Sequence, residues 1–256
     1  MKQIPNIFTL LNLFFGCIAI VFALQTEAIN IYEGDNLVTS FNIPEKLNYA
    51  AICICIAAVI DFLDGFIARL FHAASNLGKQ LDSLSDVVSF GVAPAVILYQ
   101  FLRFSFMREE NALEVNSAWM LPAFVFACSG AFRLARFNID NSQEYGFKGV
   151  PIPAAGLLVA SLPLIAHYNY FNGAINDLLL NKWFLYGLIF VLSYLMTSSL
   201  PLMALKFKSR RVKDNLPKLT LLVIALIAAL LLKWLAVPVV FICYIFLSLI
   251  FKSKRL

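Results

Sequence analysis

The chain has 256 residues, of which 61% are hydrophobic and 14% are charged, and its mean hydropathy is +0.81. Because a soluble domain is about half apolar and about a quarter charged, this composition excludes an ordinary soluble protein. The formal net charge of +5 reflects lysines and arginines beside apolar runs, a topology signal, so no nucleic-acid partner is expected.

Eight apolar runs are long enough to cross a bilayer as helices, which takes roughly 17 to 25 residues. The predicted spans are about 7–24, 49–71, 80–102, 118–137, 154–170, 183–205, 217–232 and 235–251. The last two are separated only by Lys233 and Trp234, so residues 217–251 are predicted to form a helical hairpin. Without an internal repeat or a long linker, the pattern predicts one domain over residues 1–256, an all-α polytopic transmembrane bundle.

Basic residues predict how this bundle is oriented. With the N-terminus in the cytoplasm, eight spans place 15 of the 20 lysines and arginines on the cytoplasmic side and 5 outside. Cytoplasmic loops are enriched in these residues, so we expect a cytoplasmic N-terminus in the cell (inner) membrane. The first run is predicted to be a retained helix because it is longer than a usual signal-peptide core and only Lys2 precedes it. The five cysteines lie in apolar runs without a CxxC pair and are predicted to be apolar fillers.

Four aspartates lie where the second run ends and the third begins, and ionisable groups are costly in a membrane. Asp61 and Asp64 share a helix face with Gly65 and Ala68 through their spacing of three, four and seven residues. On the third helix, a spacing of four places three residues on one face: Gly78, Asp82 and Asp86. A short turn at 71–78 predicts that the two helices are antiparallel neighbours, so the carboxylates converge at their cytoplasmic end.

Converging carboxylates predict a divalent-metal site. Hard oxygen ligands suit Mg²⁺ or Mn²⁺, and two ions would neutralise four carboxylates. The alternative is a set of salt-bridged interfacial residues, but Arg69 and Lys79 are too few to neutralise the group. Gly65 and Ala68 indicate either close helix packing or a ligand pocket, and Arg69 is predicted to pair with a carboxylate or a substrate phosphate.

These residues resemble the signature of the CDP-alcohol phosphatidyltransferase family, D-x-x-D-G-x-x-A-R-x8-G-x-x-x-D-x-x-x-D, and residues 61–86 fill all eight of its fixed positions. The resemblance implies a helical membrane enzyme, usually a homodimer, that cleaves a CDP-linked lipid and releases CMP. It implies that Asp61, Asp64 and Asp82 bind metal, and that Asp86 contributes to the metal site and is the general base. It also implies a nucleotide pocket formed by Asp64, Gly65, Ala68, Arg69, Gly78 and Asp82.

Three further segments, 5–16, 128–138 and 149–155, resemble the serine-transferring branch of this family, the CDP-diacylglycerol–serine O-phosphatidyltransferases. This resemblance implies CDP-diacylglycerol as donor, L-serine as acceptor, and phosphatidylserine and CMP as products of a metal-assisted displacement. Arg133 and Arg136, three apart on one helix face, are candidates for binding the serine carboxylate or the lipid phosphate. Asn138 is a third candidate. The alternatives are arginines that set topology and an asparagine that ends the helix.

Two other functions stay open at this point. One is a sister enzyme whose acceptor is glycerol 3-phosphate or inositol phosphate. The other is an ion-coupled transporter, which is disfavoured because the acids cluster at one end and the chain has no duplicated halves. A covalent route through Ser83, Ser85 or Ser89 is an alternative mechanism. His72 and His167 are interpreted as interfacial residues.

Overall fold

The computed structural model describes residues 4–25, 29–33, 36–40, 45–71, 75–109, 114–139, 147–168, 173–203 and 212–252. It confirms an all-α helical bundle. The helices are α1 (Ile4–Leu24), α2 (Glu45–Leu70), α3 (Asn76–Asp86), α4 (Ala93–Met107), α5 (Phe124–Ile139), α6 (Ile152–His167), α7 (Ala174–Leu179), α8 (Lys182–Thr197), α9 (Val212–Leu232) and α10 (Ala236–Lys252).

Five helical segments within these residues are long and apolar enough to span a membrane. They are Pro5–Leu24, Glu45–Leu70, Asn76–Met107, Ser117–Ile139 and Asn215–Phe251. The last segment contains both α9 and α10, while α6 and α8 are shorter apolar helices. These helices account for the eight predicted spans.

The sixth predicted span, 183–205, is too long at its C-terminal end. Helix α8 ends at Thr197, and Pro201–Leu202 forms a short strand, β4, instead. Proline has no N–H and disfavours a helical conformation at the preceding residue, which favours the end of the helix before Pro201. Strand β4 pairs antiparallel with β3 (Phe147–Lys148), which precedes α6.

A second antiparallel pair joins α1 to α2, where only a polar connection was predicted. Its strands are β1 (Ile29–Glu33) and β2 (Asn36–Ser40). Both pairs have only two strands, so they connect helices without forming a layer of the fold.

Helix α3, a π-helical segment (Val87–Val92) and α4 form one continuous rod. Its 32 residues are about 48 Å long, whereas the hydrocarbon core of a bilayer is about 30 Å thick. The rod is therefore longer than the hydrocarbon core, and its polar half, α3, extends beyond that core. The predicted turn at 71–78 is correspondingly shorter, because α3 begins at Asn76 after an N-cap at Ser75.

Helix α6 is the centre of the bundle and is buried along most of its length. It contacts α2, α4, α5, α8, α10 and the π segment. A Cβ added at Gly156 would lie 2.8 Å from the carbonyl oxygen of Phe90 in the π segment. Only a glycine allows the two backbones to approach this closely.

We use the name signature end for the end of the bundle where α2 ends and α3 begins. Because the helices alternate in direction, α1, α6 and α9 begin there, and α5, α8 and α10 end there. A 3₁₀ turn, Lys233–Leu235, connects α9 to α10 at the opposite end, and Lys233 adopts a positive φ of 50°.

Candidate functional site

Three of the four signature aspartates lie together at the signature end. Asp61 and Asp64 come from α2 and Asp82 comes from α3. One carboxylate oxygen from each residue lies within 4.8 Å of the others. Asp64 is buried, and Asp61 and Asp82 are partly exposed. We call these three residues the carboxylate cluster.

The fourth aspartate, Asp86, was also predicted to bind metal, but it is not part of the carboxylate cluster. It lies one helical turn deeper on α3 and is buried. Its Oδ1 accepts a hydrogen bond from Asn12 Nδ2 at 3.3 Å. Asp86 is separated from Asp82 because a step of four residues moves a side chain along the helix axis while keeping it on the same face. Asp86 therefore occupies a separate position beside the cluster.

Helix α1 holds two of the four aspartates in place. Thr9 Oγ1 donates to Asp64 Oδ2 at 2.5 Å, and Asn12 donates to Asp86. Ser89 Oγ donates to the carbonyl oxygen of Asn12 at 3.0 Å, which attaches α1 to the π segment. The sequence analysis assigned no role to Thr9 or Asn12. The available signal was three polar residues at steps of three, Asn6, Thr9 and Asn12, in an otherwise apolar helix.

The position of α1 also corrects the predicted helix arrangement. Helices α2 and α3 were expected to be direct neighbours, but α1 packs against both of them and they make few contacts with each other. The carboxylates still converge, across a gap that α1 closes on one side. A chain turn short enough to bring two helix ends together does not require the helices to pack along their length.

Gly65 lies on the open side of this gap. A Cβ added there would meet no heavy atom within 4 Å, so Gly65 is not a packing glycine among the described residues. Close packing against a described residue is therefore not its role, and the ligand pocket stays a prediction. Ala68 is partly exposed and Arg69 is exposed in the last turn of α2. A Cβ on Gly78 would lie 3.1 Å from Asn6 Oδ1, so this glycine faces the start of α1.

The two arginines of α5 have different surroundings, although they share a helix face. Arg133 is only 7% exposed, lies within electrostatic range of Asp86, and has an Nε that meets no hydrogen-bond partner in the described part of the chain. Arg136 is exposed and donates to the carbonyl oxygen of Thr197 at 3.2 Å. The structure therefore brings Arg133, and not Arg136, to the aspartates.

Asn138 and Ser83 connect α5 to α3. Asn138 Nδ2 donates to Ser83 Oγ at 2.8 Å, and Lys79 Nζ donates to the carbonyl oxygen of Asn138 at 3.4 Å. Both contacts position the end of α5 against the first turns of α3. Ser85 is fully buried, and its hydroxyl makes no hydrogen bond with a described residue. His167 lies at the opposite end of the bundle, and His72 lies outside the described residues.

The carboxylate cluster fits a divalent cation. Oxygens bound to one Mg²⁺ at about 2.0–2.1 Å are at most about 4.2 Å apart, so small side-chain rotations would bring the three carboxylates onto one ion. Three carboxylates this close repel one another, so the cluster favours a bound cation or a shared proton. The ion pairs Arg108–Asp177 and Lys182–Glu109 lie at the opposite end, and neither involves the carboxylate cluster.

Comparison with known proteins identifies the family. Residues 2–197 match the sequence pattern of a family described as CDP-alcohol phosphatidyltransferase. This chain belongs to the CDP-alcohol phosphatidyltransferase family. The match includes the carboxylate cluster, Asp86, α1 and α5, so every residue discussed above lies in the part that the family shares.

Several similar members of this family carry a more specific name. A Helicobacter pylori protein named CDP-diacylglycerol–serine O-phosphatidyltransferase is 33% identical over 199 residues, which cover 77% of this chain and 70% of that protein. A Mycobacterium bovis protein of the same name is 29% identical over 255 residues, or 95% of this chain and 76% of that protein. An archaetidylserine synthase from Methanothermobacter thermautotrophicus is 34% identical over 135 residues, with 52% and 54% coverage.

The hairpin of α9 and α10 lies beyond the part that matches the CDP-alcohol phosphatidyltransferase family. Helix α10 still reaches the signature end. Tyr244 Oη donates to the carbonyl oxygen of Met203 at 3.1 Å, and the N–H of Met203 donates to Ser248 Oγ at 3.2 Å. Tyr244 also lies within electrostatic range of Arg133. The hairpin thus supports the chain segment next to the site.

Proposed function

We propose that this chain transfers the phosphatidyl group from CDP-diacylglycerol to the hydroxyl of L-serine, giving phosphatidylserine and CMP. The observation that carries the proposal is the carboxylate cluster with an open Gly65 beside it, in a chain of the CDP-alcohol phosphatidyltransferase family. The choice of serine is supported by the names of the relatives from Helicobacter pylori and Mycobacterium bovis.

The carboxylate cluster and its surroundings supply the donor site. Asp61, Asp64 and Asp82 would hold a divalent cation, Mg²⁺ or Mn²⁺, and the second ion predicted from the sequence would take Asp86 as a ligand. When bound, the metal withdraws negative charge from the donor diphosphate. Gly65 leaves room for the nucleotide, and Ala68, Arg69 and Gly78 complete the proposed pocket around it. Thr9 fixes the carboxylate of Asp64 so that the cluster is preorganised.

Asp86 is the proposed general base. It accepts the proton of the serine hydroxyl, and the serine oxygen forms a bond to the phosphorus that carries diacylglycerol. The bond from that phosphorus to the oxygen of the CMP phosphate breaks, and CMP leaves with the electron pair. The hydrogen bond from Asn12 orients the Asp86 carboxylate for this step.

Direct displacement is favoured over a covalent phosphatidyl-enzyme. The hydroxyl of Ser83 is bonded to Asn138 and that of Ser89 to the Asn12 carbonyl, so neither is directed to the cluster. Ser85 is fully buried, and its hydroxyl makes no hydrogen bond with a described residue that could activate it as a nucleophile. Replacing Ser83, Ser85 and Ser89 together by alanine is expected to leave CMP release measurable, and its complete loss in a folded protein would favour the covalent route.

The deciding experiment measures CMP release by purified protein with CDP-diacylglycerol and Mn²⁺ or Mg²⁺. Serine, glycerol 3-phosphate and inositol phosphate are supplied in separate reactions. Serine-dependent release is expected, whereas release with glycerol 3-phosphate alone would replace serine as the acceptor. If CMP is released with none of the three acceptors, the result would favour a transporter.

Asp86→Asn tests the general base. The variant keeps the size of the side chain and is expected to lose turnover while retaining its melting temperature. Near-normal turnover would remove Asp86 from this role.

The location of the reaction completes the proposal. The excess of basic residues on one side supports a site that faces the cytoplasm from the inner membrane, and the family resemblance supports a homodimer. Labelling of single cysteines placed near Arg69 and near Arg108, with an impermeant reagent on intact cells, tests the orientation. Chemical cross-linking in the membrane tests the dimer.

A further inference from the structure

The π segment begins directly after the proposed general base. Asp86 is the last residue of α3, and Val87–Val92 follow it in the π conformation. Short π-helical turns inside α-helices are rare and occur frequently at functional sites. Because Asp86 and this segment belong to one continuous rod, the contacts that hold the segment also set the position of Asp86.

Helix α1 contacts the π segment closely at Ser89. This residue is fully buried, and its Oγ donates to the carbonyl oxygen of Asn12 at 3.0 Å. A Cβ added to Gly16 would lie 2.8 Å from the Ser89 Cα and closer still to the Ser89 hydroxyl. The side chain of Ser89 therefore fills a space on α1 that only a glycine leaves open.

Helix α6 holds the next residue of the π segment. Phe90 is fully buried, and a Cβ added to Gly156 would lie 2.8 Å from its carbonyl oxygen and 3.0 Å from its Cα. The segment is thus in close backbone contact with α6 as well as with α1. If α1 shifts, this second contact keeps the segment and Asp86 in place, so the distance between α1 and Asp86 changes.

Asn12 makes two contacts with the rod. Its Nδ2 donates to Asp86 Oδ1 at 3.3 Å, and its backbone carbonyl accepts the hydrogen bond from Ser89. The usual N–H···O distance is about 2.7–3.2 Å, so the contact with Asp86 is long and a small displacement of α1 would break it. The bond from Ser89 fixes the backbone that carries this amide.

We propose that Ser89 is a positioning residue for the proposed general base. Its hydroxyl, packed against Gly16, fixes how far α1 lies along the rod, so that the Asn12 amide reaches the Asp86 carboxylate and orients it. This inference rests on the proposed function and gives Ser89 a role other than that of a nucleophile.

The first test separates kcat from KM in Ser89→Ala. At saturating serine and CDP-diacylglycerol, kcat is expected to fall by about 10-fold, the effect of one lost hydrogen bond. The KM for CDP-diacylglycerol should stay unchanged, because the donor pocket is proposed around Gly65 on α2. Ser161→Ala is the matched control and should not change kcat. Ser161 is 2% exposed, and its Oγ donates to the carbonyl of Leu158 at 2.6 Å within α6.

The second test asks whether Ser89 acts through Asn12. Asn12→Ala keeps the backbone carbonyl and removes the amide, and it should itself lower kcat by about 10-fold. Adding Ser89→Ala to Asn12→Ala should then lower kcat no further, because no amide remains to be positioned. Two residues that act independently would instead give effects that multiply.

The third test displaces α1 without touching either polar residue. Gly16→Ala should lower kcat by about 10- to 100-fold, since a misplacement of about 1 Å has an effect of this size. Gly187→Ala is its control and should leave kcat unchanged, because a Cβ there meets no heavy atom of a described residue within 4 Å.

An unchanged kcat in Ser89→Ala, an equal loss in Ser161→Ala, or multiplying effects of Ser89→Ala and Asn12→Ala would overturn the inference. Complete loss of CMP release in a folded Ser89→Ala variant would also overturn it and would assign Ser89 as the nucleophile. If Asn12→Ala does not fold, the comparison of Ser89→Ala with Ser161→Ala decides alone. Failure of the wild-type protein to release CMP with serine would instead overturn the proposed function.

Discussion

The hydrogen bond from Thr9 to Asp64 allows the role of α1 to be tested at a single atom. Thr9→Val keeps the branched shape of the side chain and removes the hydroxyl. Both residues are buried, with 3% and 6% of their surfaces exposed, and the oxygens are 2.5 Å apart. The variant therefore removes a hydrogen bond to a buried carboxylate that water cannot readily replace.

The magnitude follows from this geometry. A hydrogen bond to a charged group contributes about 1.5–3 kcal/mol, and 1.4 kcal/mol corresponds to a factor of 10. Loss of an outer-shell partner of a metal ligand typically lowers metal affinity by about 10- to 100-fold. We therefore expect the Mn²⁺ concentration that gives half-maximal CMP release to rise by about 10- to 100-fold in Thr9→Val.

The assay is a Mn²⁺ titration of CMP release at saturating serine and CDP-diacylglycerol. Thr220→Val is the matched control, because Thr220 Oγ1 donates to the carbonyl of Pro217 within α9 at 2.8 Å. Thr220→Val makes the same chemical change as Thr9→Val, in another membrane helix. An unchanged Mn²⁺ requirement in Thr9→Val, or an equal rise in both variants, would refute the assignment of Thr9 to the metal site.

Three further predictions concern residues outside the metal cluster. In Gly65→Ala the added Cβ meets no described atom within 4 Å, so the melting temperature should not fall. The methyl group would occupy the proposed nucleotide pocket, so the KM for CDP-diacylglycerol should rise. An unchanged KM would contradict a nucleotide pocket at this position. Gly156→Ala places its Cβ 2.8 Å from the backbone oxygen of Phe90 and should lower the melting temperature of the protein. Gly187→Ala is the control and should not lower it, because a Cβ there meets no heavy atom of a described residue within 4 Å. Equal melting temperatures of the two variants would contradict the close helix contact. Tyr244→Phe and Ser248→Ala each remove one hydrogen bond between α10 and Met203, the residue after β4, and should each destabilise the protein by about 1 kcal/mol in detergent. No change in either variant would show that α10 does not hold this segment.

Much of the fold was predictable because a bilayer imposes simple requirements on a chain. An apolar run of sufficient length must be helical in order to satisfy its backbone hydrogen bonds, so the helices follow from hydropathy alone. The early end of α8 and the strand at Pro201–Leu202 were missed, since the residues there are as apolar as those of the helix. The proline at 201 was the local signal for that end.

The candidate site was predictable only in part. Spacing along one helix places Asp61 and Asp64 on the same face, and the signature pattern relates them to Asp82, so these three residues could be chosen from sequence. Spacing does not show depth or partners. It could not show that Asp86 lies one helical turn deeper than the other three with Asn12 as its partner, or that Arg133 is buried whereas Arg136 is exposed.

The amino-acid sequence by itself determined that this is a helical membrane protein, which helices it forms and which acidic residues meet at one end. These properties depend on local composition and on the regular period of the helix. Only the tertiary structure decided that α1 packs against both α2 and α3, that Thr9 and Asn12 bind aspartates, and that Gly65 packs against no described residue. Contacts between helices depend on which faces pack together across the bundle, and no local pattern in a single helix specifies its neighbour.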